Sequence, residues 1–276
     1  MKVFKHYLIT RFNLKNKVWH YDKNNQSILD DAWLRSRILL FETYCFPSIE
    51  AQSNKDFEWL VYFDKSSPDF LLEKIADWCN RCANFSPQYS VDYETFKSID
   101  LPDYITHHTE EKCDFIITTR LDNDDALRNT AIEKIQKAFI PQSNVIIDCV
   151  NGYCYDRESY IYTKYTMISN PFISYIESTH ATMYSVYREE HPKWIGKAMF
   201  ITIKEPRMWF QVIHNENMIN TQHGIVCFQP CLKCFGLDTL PCVTLKYIIK
   251  NRYKTLYFLF KHRVKKLLCK LVGRNI

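Results

Sequence analysis

Three carboxylates follow an apolar run almost without spacing, and that juxtaposition constrains the chain more than any other feature. The run, Asp114-Phe115-Ile116-Ile117-Thr118-Thr119, is rich in β-branched and aromatic residues and so strand-forming. It leads into Arg120-Leu121-Asp122-Asn123-Asp124-Asp125-Ala126-Leu127. Leu127, Ile132, Ile135 and Phe139 then predict a helix over residues 126–139, which puts the acids between a strand and a helix. Acids this close repel one another and are cheaply held together only by solvent or by a cation. Oxygen ligands suit Mg²⁺, Mn²⁺ or Ca²⁺. An acidic helix N-terminus with Asp122 or Asn123 as cap explains one or two acids, but not three behind an arginine. The cation reading is preferred.

The chain before this point alternates strand and helix patterns. Residues 5–10 read as a first strand ending in Arg11-Phe12-Asn13. Ser27 and Asp30 resemble a capping box, and Leu34, Ile38, Phe41 and Cys45 recur at helical spacing up to Pro47. Residues 57–64 form a nearly continuous apolar strand, as expected of one covered on both faces, and stop at Asp64. A helix from Asp69 to about Asn84 is predicted to bury Leu72, Ile75, Ala76 and Cys79. A third strand is expected over Tyr89–Tyr93, a loop around Pro102, His107 and His108, and a further strand over residues 144–150. Such alternation predicts a mostly parallel sheet with helices on both faces. Thr10, Arg11, Asp64 and Arg120 to Asp125 then share one sheet edge, the side where open α/β sheets bind ligands.

Residues 151–243 read differently, as a second half joined to a ligand-binding half over 1–150. Tyr153, Tyr155, Tyr160, Tyr162, Tyr165, Tyr184, Tyr187, Trp194 and Trp209 crowd this stretch, with short strands expected over 184–187 and 198–203. Rings mixed with polar groups suit a sugar, although an aromatic core explains most of them. Residues 209–217 read as a strand ending in a polar cluster with His214.

The net charge of +5 hides an asymmetry. Residues 244–276 carry ten Lys and Arg and no acid, leaving 26 basic against 31 acidic residues before them. This tail reads as a basic amphipathic helix suited to an anionic membrane surface rather than to nucleic acid. With only 5 glycines there is no Gly-rich phosphate cradle, so a bound phosphate needs a cation or a basic side chain. The 11 cysteines, an odd number, include the pairs Cys79/Cys82 and Cys231/Cys234, too far apart for a zinc ribbon, and suit a reducing, cytoplasmic setting. Met1 to Thr10 lacks the apolar region of a signal peptide, and no apolar run is long enough to span a bilayer.

Several stretches together resemble a bacterial rhamnosyltransferase family with a GT-A-type catalytic domain. They are residues 6–13, 40–48, 57–64, 117–126, Pro171-Phe172 and 209–217, so the resemblance runs from about residue 6 to about 220. It implies a GT-A-like, Rossmann-like α/β fold. It also implies a transferase taking a nucleotide-sugar donor, with Mn²⁺ or Mg²⁺ at a D-x-D motif, and a saccharide or lipid-linked acceptor. Carried onto this chain, Asp122 would face the ribose, Asp124 and Asp125 the metal, and His214 would add a ligand. Thr10, Arg11 and Asp64 would contact base and ribose, and Arg120 a phosphate or the acidic loop. If the reaction inverts, a side-chain base takes the acceptor proton, and the segment Glu189, Glu190, His191 is the preferred source, ahead of Asp156 and Glu177. The alternative is a degenerate domain acting as a non-catalytic adaptor at the membrane surface. An EF-hand is excluded because Ala126 occupies its third ligand position and its glycine is missing.

Overall fold

The computed structural model describes residues 3–16, 30–110, 112–215 and 222–245, together with Tyr247 and Ile249. The basic tail expected over 244–276 therefore lies almost wholly outside the described residues.

The first part of the chain builds the centre of a seven-stranded sheet. β1 (Phe4–Arg11), β2 (Glu58–Asp64), β3 (Phe85–Ser90) and β4 (Phe115–Arg120) run parallel, with Ile9 opposite Leu60 and Leu8 opposite Thr119. Their side chains alternate between two apolar layers, as period-two geometry requires. Leu8, Trp59, Val61 and Phe63 enter one layer; Tyr7, Ile9, Leu60 and Tyr62 enter the other. β5 (Ala126–Leu127) follows the acidic loop, so the predicted helix over 126–139 is shorter than its pattern. β6 (Val145–Cys149), β7 (Asn151–Asp156), β8 (Ile161–Thr166), β9 (Ser174–Ser178), β10 (Met199–Ile203), β11 (Trp209–Ile213) and β12 (Ile225–Cys227) complete the strands. The large sheet has the order β10-β6-β9-β4-β1-β2-β3, in which only β9 is antiparallel to its neighbours. The mostly parallel α/β organisation is thus present, with β9 from beyond residue 150 inserted between β4 and β6. A second sheet, β12-β8-β7-β11-β5, packs on its own aromatic cluster.

The helices cover the large sheet. α1 (Asp31–Leu40) is capped by Asp30, whose carboxylate accepts from Trp33 N at 2.8 Å. It passes through a widened turn, Phe41–Cys45, into α2 (Phe46–Glu50). Pro47 has no N–H to donate, and the i→i+5 turn, closed by Phe46 N to Phe41 O, carries the helix past it. α3 (Asp69–Arg81) buries Leu71, Ile75 and Trp78, not the expected Leu72, Ala76 and Cys79 face. Trp78 decides that rotation, because burying its ring removes roughly 150–250 Å² from water. It packs against Phe12, Phe41 and Phe63. The third strand lies at 85–90, earlier than expected, and Tyr93 instead opens the short α4 (Tyr93–Thr95). The expected loop around the two histidines is α5 (Leu101–His108), and the shortened helix after the acids is α6 (Ala131–Lys137). A 3₁₀ turn, Val186–Arg188, replaces the strand expected over 184–187.

Candidate functional site

Because β1, β2 and β4 are parallel, their carboxyl ends meet at one edge of the sheet, and the acidic loop closes over it. The loop is sewn to the end of β1: Leu121 N donates to Ile9 O at 3.0 Å and Asn123 Nδ2 to Phe12 O at 2.8 Å. Leu121 is fully buried and anchors the loop, which leaves the acids on either side of Asn123 pointing to two different surroundings.

The inner surroundings are closed. Asp124 is buried and accepts from Arg37 Nη1 at 2.8 Å and pairs with His214 Nε2 at 2.9 Å. Burial alone would raise its pKa, but the hydrogen bonds and charges of His214 and Arg37 outweigh burial and hold it well below the usual carboxylate range. Asp125 goes the other way. It is 1% exposed, and burial, then the charges of Asp124 and Asp122, push its pKa well up. Its Oδ1 accepts from Val212 N at 2.8 Å, so it ties the loop to β11, two residues before His214. Trp209 fixes that strand. Its indole donates to Cys149 O at 2.7 Å and stacks on Phe172 at 5.1 Å, directly over Gly152, where a Cβ would lie 1.9 Å from the ring.

The outer surroundings are open. Arg11 meets Asp122 at 3.3 Å and lies over the rings of Tyr93 at 5.0 Å and Tyr187 at 5.4 Å. Arg120 also lies over the Tyr187 ring, 4.9 Å from its centre. Arg11 Nε, Arg120 Nε, Tyr187 Oη and Asp64 Oδ2 are all buried without a hydrogen-bond partner. The other oxygen of Asp64 accepts from Ser66 N at 2.7 Å and Lys15 Nζ at 3.2 Å. Buried polar atoms are almost always paired. Four orphans around one edge mark a place where a polar ligand would be rewarded.

These observations fix what the site is made of, and comparison with known proteins says what it belongs to. Residues 5–224 match the family model described as "Putative rhamnosyl transferase". The chain belongs to that family. No curated protein matches it in sequence. Among solved structures, it is similar to Staphylococcus aureus TarS 1-349, with 13% identity and a TM-score of 0.41 over 75% of this chain and 60% of that one. The same protein in complex with UDP-GlcNAc gives 13% and 0.40 over 78% and 60%. A protein from Desulfovibrio desulfuricans G20 described as a "putative nucleotide-diphospho-sugar transferase" gives 10% and 0.36 over 78% and 83%. The chain thus spans 60% of the TarS 1-349 length it matches.

The sequence-predicted residues divide clearly. Arg11, Asp64, Arg120 and Asp122 converge at the open edge, and Asp124 and His214 pair at the closed centre. Thr10 turns away: it is fully buried and its hydroxyl accepts from the Trp59 indole at 2.9 Å. Asp125, expected beside Asp124 as a metal ligand, is instead taken up by Val212 N. Glu189 is tied to Lys197 at 2.7 Å and Glu190 is exposed. His191 approaches the edge. Burial, and to a lesser extent the nearby Arg120 charge, lower its pKa, and its Nδ1 lies 2.6 Å from Ser169 O. A carbonyl accepts only, so Nδ1 carries the proton and Nε2 the lone pair. Arg37 escaped the sequence reading, which took Tyr187 only as one of the rings crowding residues 151–243 and Tyr93 only as a strand end. Arg37 did leave a signal, because helical spacing puts it with Leu34, Ile38 and Phe41 on the core face of α1.

Among the described residues no group of three or more His, Cys, Asp and Glu side chains forms a ready-made cage. Two ligands do fit. Cis positions around an octahedral ion at about 2.1 Å lie roughly 3.0 Å apart, and Asp124 Oδ2 and His214 Nε2 stand 2.9 Å apart. Mg²⁺ commonly takes one or two protein ligands and completes its shell with phosphate oxygens and water.

Proposed function

We propose that this glycosyltransferase uses a nucleotide-sugar donor, moving a hexosyl group, rhamnose by the family's description, to a saccharide or lipid-linked acceptor. The observation that carries the reading is the convergence of unpartnered Arg11, Arg120 and Asp64 atoms beside the Asp124–His214 pair. Arg11 and Arg120 hold diphosphate oxygens, and Asp64 accepts from base or ribose. Asp122 orients Arg11 and meets the ribose. Asp124 and His214 hold Mn²⁺ or Mg²⁺, which when bound supplies positive charge to the departing nucleoside diphosphate. Asp125 supports the loop through Oδ1, which accepts from Val212 N. His191 Nε2 is the base that takes the acceptor proton in an inverting reaction, its neutral state favoured by burial and by Arg120. The basic residues 244–276 bring the enzyme to an anionic membrane surface, which sedimentation with anionic liposomes checks against a chain ending at residue 243.

The deciding experiment is a thermal-shift panel of UDP-, GDP- and dTDP-linked sugars with and without Mn²⁺. A ligand at one hundred times its Kd stabilises the folded state by about 2.7 kcal/mol, so the cognate donor raises Tm and the others do not. Absence of any shift, together with no release of nucleoside diphosphate, would refute the donor assignment.

A further inference from the structure

The chain holds two C-x-x-C pairs, and the fold treats them differently. Cys79 lies inside α3, whereas Cys82 is its C-cap, with extended backbone at φ −126° and ψ 105°. Cys79 is exposed and Cys82 buried, and burial raises the pKa of both. Such thiols stay protonated and unreactive near neutral pH.

Cys231 caps, and Cys234 sits inside, a 3₁₀ turn, Leu232–Phe235. Three residues per turn place side chains i and i+3 one above the other. Leu232 and Phe235 are buried in the aromatic cluster of the second sheet. The two cysteines are left on the outward side, Cys231 exposed and Cys234 partly so. There the Cys234 thiol donates to the Cys231 sulfur at 2.9 Å. The turn itself is firmly held. Cys234 O accepts from Asn129 N at 2.7 Å, and Gly236, at φ 67°, lies so close to α2 that a Cβ would meet Pro47 O at 2.4 Å. The hydrogen bonds from Cys234, and then the charges of Arg128 and Lys233, lower the Cys231 pKa. The same thiol contact raises that of Cys234. An exposed sulfur that favours its thiolate thus stands beside one that keeps its proton.

We infer that Cys231 and Cys234 form a redox-active dithiol that reacts with low-molecular-weight disulfides, Cys231 as the attacking sulfur and Cys234 as the resolving one. The Cys231 thiolate attacks one sulfur of the small disulfide, whose S–S bond breaks and releases one thiolate. A mixed disulfide on Cys231 results. Cys234 then passes its proton to the released thiolate and attacks Cys231 Sγ, expelling the second half as a thiolate that solvent protonates. Two electrons pass from the cysteine pair to the small disulfide, which leaves as two thiols. The pair takes no residue from the open edge or the closed centre, so this chemistry is independent of the donor reading.

Oxidised glutathione added to the full chain, followed by peptide mapping in a mass spectrometer, tests it. The wild-type protein should form the Cys231–Cys234 disulfide and keep no glutathione on either sulfur. In Cys234→Ser the resolving thiol is missing, so one glutathione should stay on Cys231, taken up roughly tenfold faster than on the exposed Cys79 of the same molecule. Cys79 is the internal control, since a general loosening of the fold would speed both. Cys231→Ser should slow the oxidation of Cys234 roughly tenfold relative to wild type. Equal uptake at Cys79 and Cys231, a lasting glutathione adduct on Cys231 of the wild type, or an unchanged rate at Cys234 in Cys231→Ser overturns the inference.

Discussion

Asp122 and Asp125 stand three residues apart in one loop and live in opposite conditions. Around Asp122 the polar atoms are generous and unsatisfied: Arg11, Arg120, Tyr187 and Asp64 each keep a buried atom without a partner. Around Asp124 and Asp125 the carboxylates are already answered, by Arg37, by His214 and by Val212 N. An unpaired buried polar group costs about 1–3 kcal/mol, so the open edge holds back free energy that a ligand can recover. The closed centre uses its interactions to fix Asp124 and His214, the two groups proposed to hold the cation. One loop thus separates affinity from positioning, and substitutions should separate the same way.

The largest effect is expected at the closed centre. Asp124→Ala leaves Arg37 buried without its carboxylate, and breaking a buried pair costs about 3–5 kcal/mol. Transfer should be lost together with a lowered Tm, measured by nucleoside diphosphate release and by calorimetry. A variant that loses activity with its Tm intact would mean that Arg37 finds other compensation and that the centre is less closed than described. Arg37→Ala should behave alike in stability. Next comes Gly152→Ala, whose Cβ would strike the Trp209 ring. Overpacking of this kind costs about 1–3 kcal/mol. Because Trp209 heads the strand that delivers His214, activity should fall along with stability.

At the open edge the pattern should reverse. Arg11→Gln removes a guanidinium whose Nε has no partner and whose only ion pair among the described residues, at 3.3 Å, is with the partly exposed Asp122. Such a pair contributes little, about 0–1 kcal/mol, to stability. A charged hydrogen bond to a ligand is worth about 1.5–3 kcal/mol, so the donor Kd should weaken roughly 10- to 100-fold with little change in Tm. Titration calorimetry with the nucleotide identified by thermal shift measures it. A large Tm loss without loss of affinity would erase the contrast between the two surroundings.

How much of this was legible beforehand follows from what a linear pattern encodes. β1, β2 and β4 were readable because strands covered on both faces are written as unbroken apolar runs, and their parallel alternation placed Arg11, Asp64 and Asp122 on one edge. His214 was readable as the polar end of the run from Trp209. Sheet order was not, since nothing in residues 174–178 says that β9 inserts antiparallel between β4 and β6. Arg37 was passed over because its partner is 87 positions away. The face of α3 was misjudged because spacing allowed two choices and the bulk of Trp78, a packing property, made the selection. Asp124 and Asp125 were equivalent in sequence; Arg37 and His214 on the first and the backbone amide of Val212 on the second distinguish them.

The smallest effect concerns the loop that carries Tyr187, the ring shared by Arg11 and Arg120. Glu177 on β9 is 3% exposed and accepts from Tyr184 N at 2.9 Å and Ser185 N at 2.7 Å. Burial raises its pKa to about 7, against the two backbone hydrogen bonds, which pull it down. A carboxyl whose folded pKa is raised above the unfolded value, about 4.3, binds its proton more tightly when folded. The stability it contributes is complete below about pH 4 and is lost as the pH rises through about 7. Tm should therefore drift downward between pH 5 and 8, and Glu177→Gln should flatten that drift. The buried Asp148, raised by burial to about 6, adds a drift of the same sign that ends at lower pH and survives the substitution. Donor affinity supplies the second readout: if the loop only positions Tyr187, Glu177→Gln changes the Kd less than twofold at pH 6, where Glu177 is mostly neutral, and more at pH 8. An equal change at both values would detach the loop from the open edge and leave Tyr187 as packing for the two arginines.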